Sequence, residues 1–393
     1  MVNIFQAKLK IMKIIYNISS TATSGGGMER VIVNKANYLA DILNYEVVLV
    51  TTDQKNGKSF YPFSEKIRHI DLNINYVDIA RTPNFFHMYL LYRKALVKHR
   101  KALTTVLLRE KADIVVSLSR DEKEFLHKIN DGSKKVLESH RCLKPRAPIE
   151  LRRTKSILQK AKIIYRLLHE TRLPKYYDKF VVLTEEDKSF WSEKNNVVVI
   201  PNPLPFETEQ LPNLTAKTVL CVGRISTDKG IDRLLNIWAK VCVQFPDWKL
   251  RLIGDIVDSE LLTQLDRLKL THSVEIVEAT RDILKEYQSS SIYVMTSRFE
   301  GLPMVLLEAV SVGLPIVSYT FKCGPRDVIN DGVDGFLVNE DDEFNFVQKL
   351  KSLMISENLR ESMSKNAKLN SERFSVKVVM NKWDDLFNEL KNR

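Results

Sequence analysis

Residues 297–318 read SRFEGLPMVLLEAVSVGLPIVS. The β-rich run SIYVMTS (291–297) ends inside this stretch, and a loop carrying Glu300 and Gly301 follows it. Pro303 then opens an apolar helical segment, and PIVSY (315–319) reads as the next strand. Proline suits a first helical turn because its missing N–H would have no partner there. Strand, loop, helix and strand in this order form a unit of a parallel α/β sheet.

The same alternation continues in both directions. TVLCVG (218–223), WKLRLIG (248–254), SVEIV (273–277) and GFLV (335–338) are the companion strands of the second half. In the first half the strands are MKIIYNIS from Met12, EVVLVTT (46–52), IRHIDL (67–72), DIVVSLS (113–119), KVLES (135–139), KFVVLT (179–184) and VVVIP (197–201). Helical period fills 28–43 and 85–111. Between the halves, Pro201, Pro203, Pro205 and Pro212 cannot continue a helix or a central strand. The expected architecture is therefore two doubly wound Rossmann-like α/β domains, at 1–200 and 216–374, facing each other across a cleft. A linker at 201–215 joins them, and a final helical stretch within 375–393 could cross back to the first. In such sheets ligands bind beyond the carboxyl ends of the strands, which puts the expected site in the cleft.

Composition narrows the function classes. A chain of 393 residues has room for two cores, and 44% hydrophobic with 28% charged residues excludes disordered, collagen-like and multi-span membrane classes. The first twenty residues interleave Lys8, Lys10 and Lys13 with apolar residues, unlike a secretory signal, so a cytoplasmic chain is expected, with Met12 as its natural start. Cys142, Cys221, Cys242 and Cys323 are far apart without a CxxC pair, so each is expected to be a structural thiol. The net charge of +11 is unevenly spread: residues 1–200 hold 36 Lys+Arg against 21 Asp+Glu, and 141–179 hold 12 against 3. Such a local surplus suits phosphate groups, nucleic acid or an anionic membrane. Within it, 149–172 place Ile157, Ala161, Ile164 and Leu168 on one helical face, among Arg152, Arg153, Lys155, Lys160, Lys162 and Arg166. A membrane-surface helix and a core-facing helix with a basic outer face explain this pattern equally well.

Three motifs carry candidate chemistry. Glu300 and Glu308 flank the start of a helix whose free N–H groups suit a phosphate, and two carboxylates so spaced can hold sugar hydroxyls on either side of it. In VGRISTDKGIDRLL (222–235), Arg224 offers a planar fork and Lys229 a mobile point charge, together able to neutralise a diphosphate. No Asp-x-Asp pair occurs in the chain, so the simplest carboxylate ligand set for a bridging metal is missing and no metal or cofactor is expected. SGGGMER (24–30) follows the first strand, where Gly25, Gly26 and Gly27 permit close approach of backbone to a ligand, although a flexible turn explains them nearly as well. His140 follows KVLES at a carboxyl edge of the sheet, facing the cleft.

At these residues the chain resembles the family 4 retaining glycosyltransferases of the GT-B fold, over nearly its whole length and most closely in 218–340. GGGMER looks like the family's glycine motif, VGRISTDKG like its diphosphate loop and EGLPMVLLE like its Glu-x7-Glu signature. CGPRDVINDGVDGFLV (323–338) is similar to a run of the bacterial polysaccharide branch. The resemblance implies that Arg224 and Lys229 grip a diphosphate, Glu308 a ribose and Glu300 the departing sugar. It implies a donor site formed by Gly26, Gly27, Arg224, Lys229, Glu300, Gly301, Leu302, Pro303, Met304, Val305 and Glu308. The reaction implied is metal-free transfer, with retention, of a hexose or N-acetylhexosamine from a nucleotide-diphosphate sugar, UDP-linked by expectation, to a glycan or lipid-linked acceptor. Ile256 and Glu278 stand where the family often has glycine, and its first-domain active-site residue maps to Glu138, His140 or Arg141, with His140 the best fit. The basic segment 141–179 fits an anionic membrane and a peripheral location on the cytoplasmic face. The alternatives are another GT-B activity such as sugar-nucleotide epimerisation, and a nucleic-acid-binding module. For the latter, Tyr165, Tyr176 and Tyr177 are too few aromatics among the basic residues, and no nucleic acid is expected.

Overall fold

The computed structural model describes residues 11–21, 27–55, 57–142, 148, 150–151, 154, 156–191 and 196–393. Gly25, Gly26, Arg152, Arg153 and Lys155 lie outside the described residues. Two parallel sheets organise the chain. The first contains β1 (Lys13–Ile18), β2 (Glu46–Thr51), β3 (Arg68–Asp71), β4 (Ile114–Ser117), β5 (Lys134–Glu138), β6 (Lys179–Val182) and β7 (Val197–Val199). Their order is β3-β2-β1-β4-β5-β6-β7. The second contains β8 (Thr218–Val222), β9 (Lys249–Ile253), β10 (Val274–Val277), β11 (Ile292–Met295), β12 (Ile316–Tyr319) and β13 (Gly335–Val338), ordered β10-β9-β8-β11-β12-β13. In each sheet the order reverses beside the first strand, which opens the crevice where a doubly wound sheet binds its ligand.

The strands read as continuous apolar runs because helices cover both faces. Ile14, Tyr16 and Ile18 pack on one side of the first sheet with Ile32, Ala36 and Leu39, whereas Ile15 joins Leu103, Leu107 and Trp191 on the other. In the second domain one core gathers Leu234, Trp238, Leu306, Val310 and Phe346 around the strands. The helix Val376–Lys391 seals the first sheet rather than the second: Val379, Met380, Trp383, Phe387 and Leu390 pack with Ile14, Tyr16 and Val116. The chain thus crosses between domains twice, at the proline-rich segment and at residues 372–376. The two crossings are tied together, since Leu204 N donates to Phe374 O at 2.8 Å and Val376 N to Glu207 Oε1 at 3.0 Å.

The cysteine expectation needs correction. Cys142 and Cys323 form a disulfide across 181 residues of sequence, joining the loop after β5 to the loop after β12. Only Cys221 and Cys242 are free, buried thiols. Neither the separation nor the local sequence signals this pairing; it arises because the carboxyl ends of the two sheets face each other. An ion pair and a hydrogen bond reinforce the contact, with Glu186 accepting from Lys322 at 2.5 Å and Glu185 N donating to Asp327 Oδ1 at 2.6 Å.

Phe387→Ala removes a fully buried ring between the returning helix and the first sheet. We expect it to cost about 3–5 kcal/mol of unfolding free energy, measured by urea denaturation; an unchanged midpoint would show that the helix is not part of the first core.

Candidate active site

The loops beyond the carboxyl ends of β5, β8 and β11 converge in the cleft. Gly301 in the β11 loop lies so close to the first domain that a Cβ there would sit 2.4 Å from the His140 carbonyl oxygen. Only glycine permits that approach. A Cβ on Gly27, at the start of the helix Gly27–Asn37, would likewise sit 2.9 Å from Met304 Cγ across the cleft. Backbone from one domain is therefore pressed against the other at two points, and the polar side chains gather between them.

A central pocket of about 230 Å³ is lined by His140, Arg141, Arg224, Asp228, Lys229, Glu300 and Gly301. Lys229 Nζ lies 2.5 Å from Glu300 Oε1, which also accepts from Ser297 Oγ at 3.0 Å. This ion pair fixes both ends before any ligand arrives. A larger groove of about 780 Å³ opens from it, lined by Gly27, Arg30, Phe60, Tyr61, Gly223, Arg224, Arg281, Met304, Val305 and Glu308. Glu308 is buried and accepts from Tyr287 OH at 2.8 Å, with Arg30 Nη1 3.7 Å away. Burial raises its carboxyl above the usual range, against the pull of Tyr287 and Arg30. A third cavity of about 330 Å³ lies in the first domain, lined by Arg120, Asp121, Lys123, Glu124, His140 and Arg141 among others.

The structure brings most of the sequence-derived residues together. His140, Arg224, Lys229, Glu300 and Gly301 share the central pocket, and Gly27, Arg224, Met304, Val305 and Glu308 share the groove. Leu302 instead packs into the second core, and Pro303 is buried as the residue preceding the helix Met304–Val312. Of the three first-domain candidates, Glu138 is buried behind the pocket while His140 and Arg141 line it. Sequence reasoning missed Arg30, Phe60, Tyr61 and Arg281. Phe60 and Tyr61 meet edge to face at 5.0 Å, with Arg281 5.2 Å from the Phe60 ring centre and Arg30 5.0 Å from that of Tyr61. Two adjacent aromatics in a polar loop, KNGKSFYPF (55–63), were the available signal.

The arrangement suits an extended ligand with an anionic middle. Arg224 borders both the groove and the central pocket, and Lys229 stands beside it, so a diphosphate there would meet two cations. Glu308, just over one turn into the helix Met304–Val312, could hold hydroxyls on the groove side and Glu300 those on the pocket side.

Residues 206–370 match the family model described as glycosyl transferases group 1. A Haemophilus influenzae protein described as an uncharacterized glycosyltransferase is 31% identical over 381 residues, covering 95% of this chain and 98% of that protein. A Campylobacter jejuni protein is 26% identical over 400 residues, covering 97% of this chain and 100% of that protein. It is named GalNAc-alpha-(1->4)-GalNAc-alpha-(1->3)-diNAcBac-PP-undecaprenol alpha-1,4-N-acetyl-D-galactosaminyltransferase. A crystal structure of an S. aureus TarM variant in complex with Fondaparinux, alpha-GlcNAc-glycerol and UDP superposes with a TM-score of 0.75 at 14% identity, covering 96% of this chain and 100% of that one. At that identity the likeness is one of fold.

Lys229→Ala is expected to lower kcat/KM for sugar transfer roughly 100-fold or more, since it removes a preorganised cation. Glu308→Ala is expected to weaken donor binding roughly 10- to 100-fold, through loss of hydrogen bonds to a charged acceptor. Both variants should keep the wild-type circular dichroism spectrum; wild-type activity in either would remove that residue from the site.

Proposed function

The chain belongs to the group 1 glycosyl transferases, and from that premise we propose that it transfers a hexose or N-acetylhexosamine, with retention and without a metal, from a UDP-sugar to a lipid-linked glycan in bacterial polysaccharide biosynthesis. The observation that carries this reading is the series of three cavities. The groove and the central pocket share Arg224, and the central pocket and the first-domain cavity share His140 and Arg141. A nucleoside in the groove, its diphosphate at Arg224 and Lys229, the sugar in the central pocket and the acceptor beyond His140 fill the series in chemical order.

The chemistry follows from that order. The bond between sugar C1 and the β-phosphate oxygen breaks, and the acceptor hydroxyl oxygen bonds to C1 on the same face. Its proton passes to the β-phosphate oxygen that has just left. Arg224 and Lys229 stabilise the charge growing on the diphosphate, and their two positive charges supply what a divalent cation would otherwise supply there. Glu300, held in place by Lys229 and Ser297, orients the sugar, so much of the rate comes from positioning. The UDP present in the TarM structure supports the choice of nucleotide, and the diphospho-undecaprenol named in the Campylobacter relative supports that of acceptor.

The membrane part of the proposal rests on the basic helix Ile157–Glu170. No residue of it is buried, and Ile157 and Leu158 are 83% and 76% exposed. Phe85 and Phe86 are exposed beside it, with Lys162 Nζ 4.5 Å from the Phe85 ring centre. Apolar residues and lysines outside every core suit the headgroup boundary of an anionic bilayer, on the same domain as the acceptor cavity. No helix among the described residues is long and apolar enough to cross a membrane.

Calorimetric titration with UDP, GDP and ADP, with and without EDTA, tests the donor site. UDP should bind most tightly and EDTA should leave its affinity unchanged; loss of binding in EDTA would contradict the metal-free site. Sedimentation with phosphatidylglycerol vesicles tests the membrane surface. Substituting Lys160, Lys162 and Arg166 by Glu should weaken binding by at least roughly 1 kcal/mol per residue, and equal sedimentation would contradict the assignment.

A further inference from the structure

Behind His140 lies a charge pair that the transfer mechanism does not use. Lys35, on the helix Gly27–Asn37, and Glu138, the last residue of β5, are each 1% exposed. Lys35 Nζ donates to both Glu138 carboxylate oxygens at 2.7 Å. Its other face lies 3.7 Å from the ring centre of Trp383 on the returning helix, and 5.5 Å from that of Tyr16. Glu138 Oε1 also lies 3.0 Å from His140 Nε2. Burial alone would raise the Glu138 carboxyl, but Lys35 and His140 hold it below the usual carboxylate range, while burial lowers the Lys35 ammonium against the pull of Glu138. With Nζ donating to both of its oxygens, Glu138 is the acceptor of this cluster.

A buried ion pair is weak evidence of a stabilising role, because a well-packed apolar pair of similar volume often serves as well or better. Its direction is more informative. A carboxylate oxygen 3.0 Å from Nε2 accepts a hydrogen bond there, so in the neutral ring the proton resides on Nε2 and Nδ1 is the acceptor. Glu138 itself is held by a lysine that packing against Trp383 keeps in place. The chain of contacts runs from the returning helix through Lys35 and Glu138 to the one histidine that borders both the central pocket and the first-domain cavity.

We infer that Lys35 and Glu138 are positioning residues that fix the orientation and tautomer of His140 against the transferred sugar. The inference rests on the proposed reading of the central pocket as the sugar site. Lys35 and Glu138 touch no substrate and act only through the histidine ring.

The test is a mutant cycle read as kcat, with folding checked by melting temperature and donor affinity by UDP titration. Lys35→Met/Glu138→Gln removes both buried charges but keeps a carbonyl acceptor for Nε2–H, and should stay within about threefold of wild type. Lys35→Met/Glu138→Leu removes the acceptor too and should lose about 100-fold in kcat with UDP affinity unchanged. Adding His140→Ala should make the Leu variant no worse than His140→Ala alone. Equal rates for the Gln and Leu variants, or losses that multiply in the triple variant, would overturn the inference. A fully active His140→Ala would instead show that the sugar-site reading is wrong, and the inference would fall with it. Nitrogen-15 NMR of wild-type histidines gives a reading independent of any variant: the Nε2-protonated tautomer is expected for His140, and the Nδ1-protonated form would contradict it.

Discussion

Everything at the centre of this molecule depends on two parallel sheets meeting at their carboxyl ends, where the Gly301 backbone presses on the His140 carbonyl. Each sheet alone would offer a crevice with one set of loops. Placed face to face, they turn two crevices into one series of cavities, with cations from the second domain opposite a histidine from the first. The constraint is steric, since any side chain at Gly301 would separate the loops. It also accounts for the Cys142–Cys323 bridge and the Glu186 ion pairs, which are consequences of the same approach.

The electrostatics divide into two kinds of pair. Lys229 and Glu300 are partly exposed and can exchange each other for ligand groups, so their mutual attraction holds both side chains ready. Lys35 and Glu138 are sealed from water and cannot exchange, so they act as fixed support. A binding site built this way keeps its mobile charges where the substrate arrives and its immobile charges one layer behind. The returning helix belongs to this scheme: Trp383 completes the first core and covers Lys35. The C-terminal segment, last in sequence, therefore bears on the site through packing alone.

Much of this was legible in the sequence because the signals were local. Strand β4 reads IVVS and is wholly buried, as an inner parallel strand must be. Pro303 before Met304–Val312 and Gly230 before Ile231–Val241 marked helix starts, and with them the loops bearing Glu300 and Lys229. What could not be read depends on strand order and domain facing. Arg30 meets Glu308 only because the two domains face each other, and Lys35 meets Glu138 only after β1 and β5 take their places on either side of β4. Lys35 did carry a signal, a lone cation within the otherwise apolar face of VIVNKAN, but nothing nearby named its partner. Likewise the pattern of the basic helix fitted a core face and a membrane face equally, and it is the lack of any buried residue in Ile157–Glu170 that argues against the core face.

The central claim is that the cleft holds a nucleotide-diphosphate sugar with its diphosphate between Arg224 and Lys229. A crystal structure with bound UDP tests this most directly. The account predicts the diphosphate within hydrogen-bonding distance of both cations, the ribose at Glu308, and Lys229 drawn away from Glu300. A diphosphate bound elsewhere, with the Lys229–Glu300 pair intact, would contradict it.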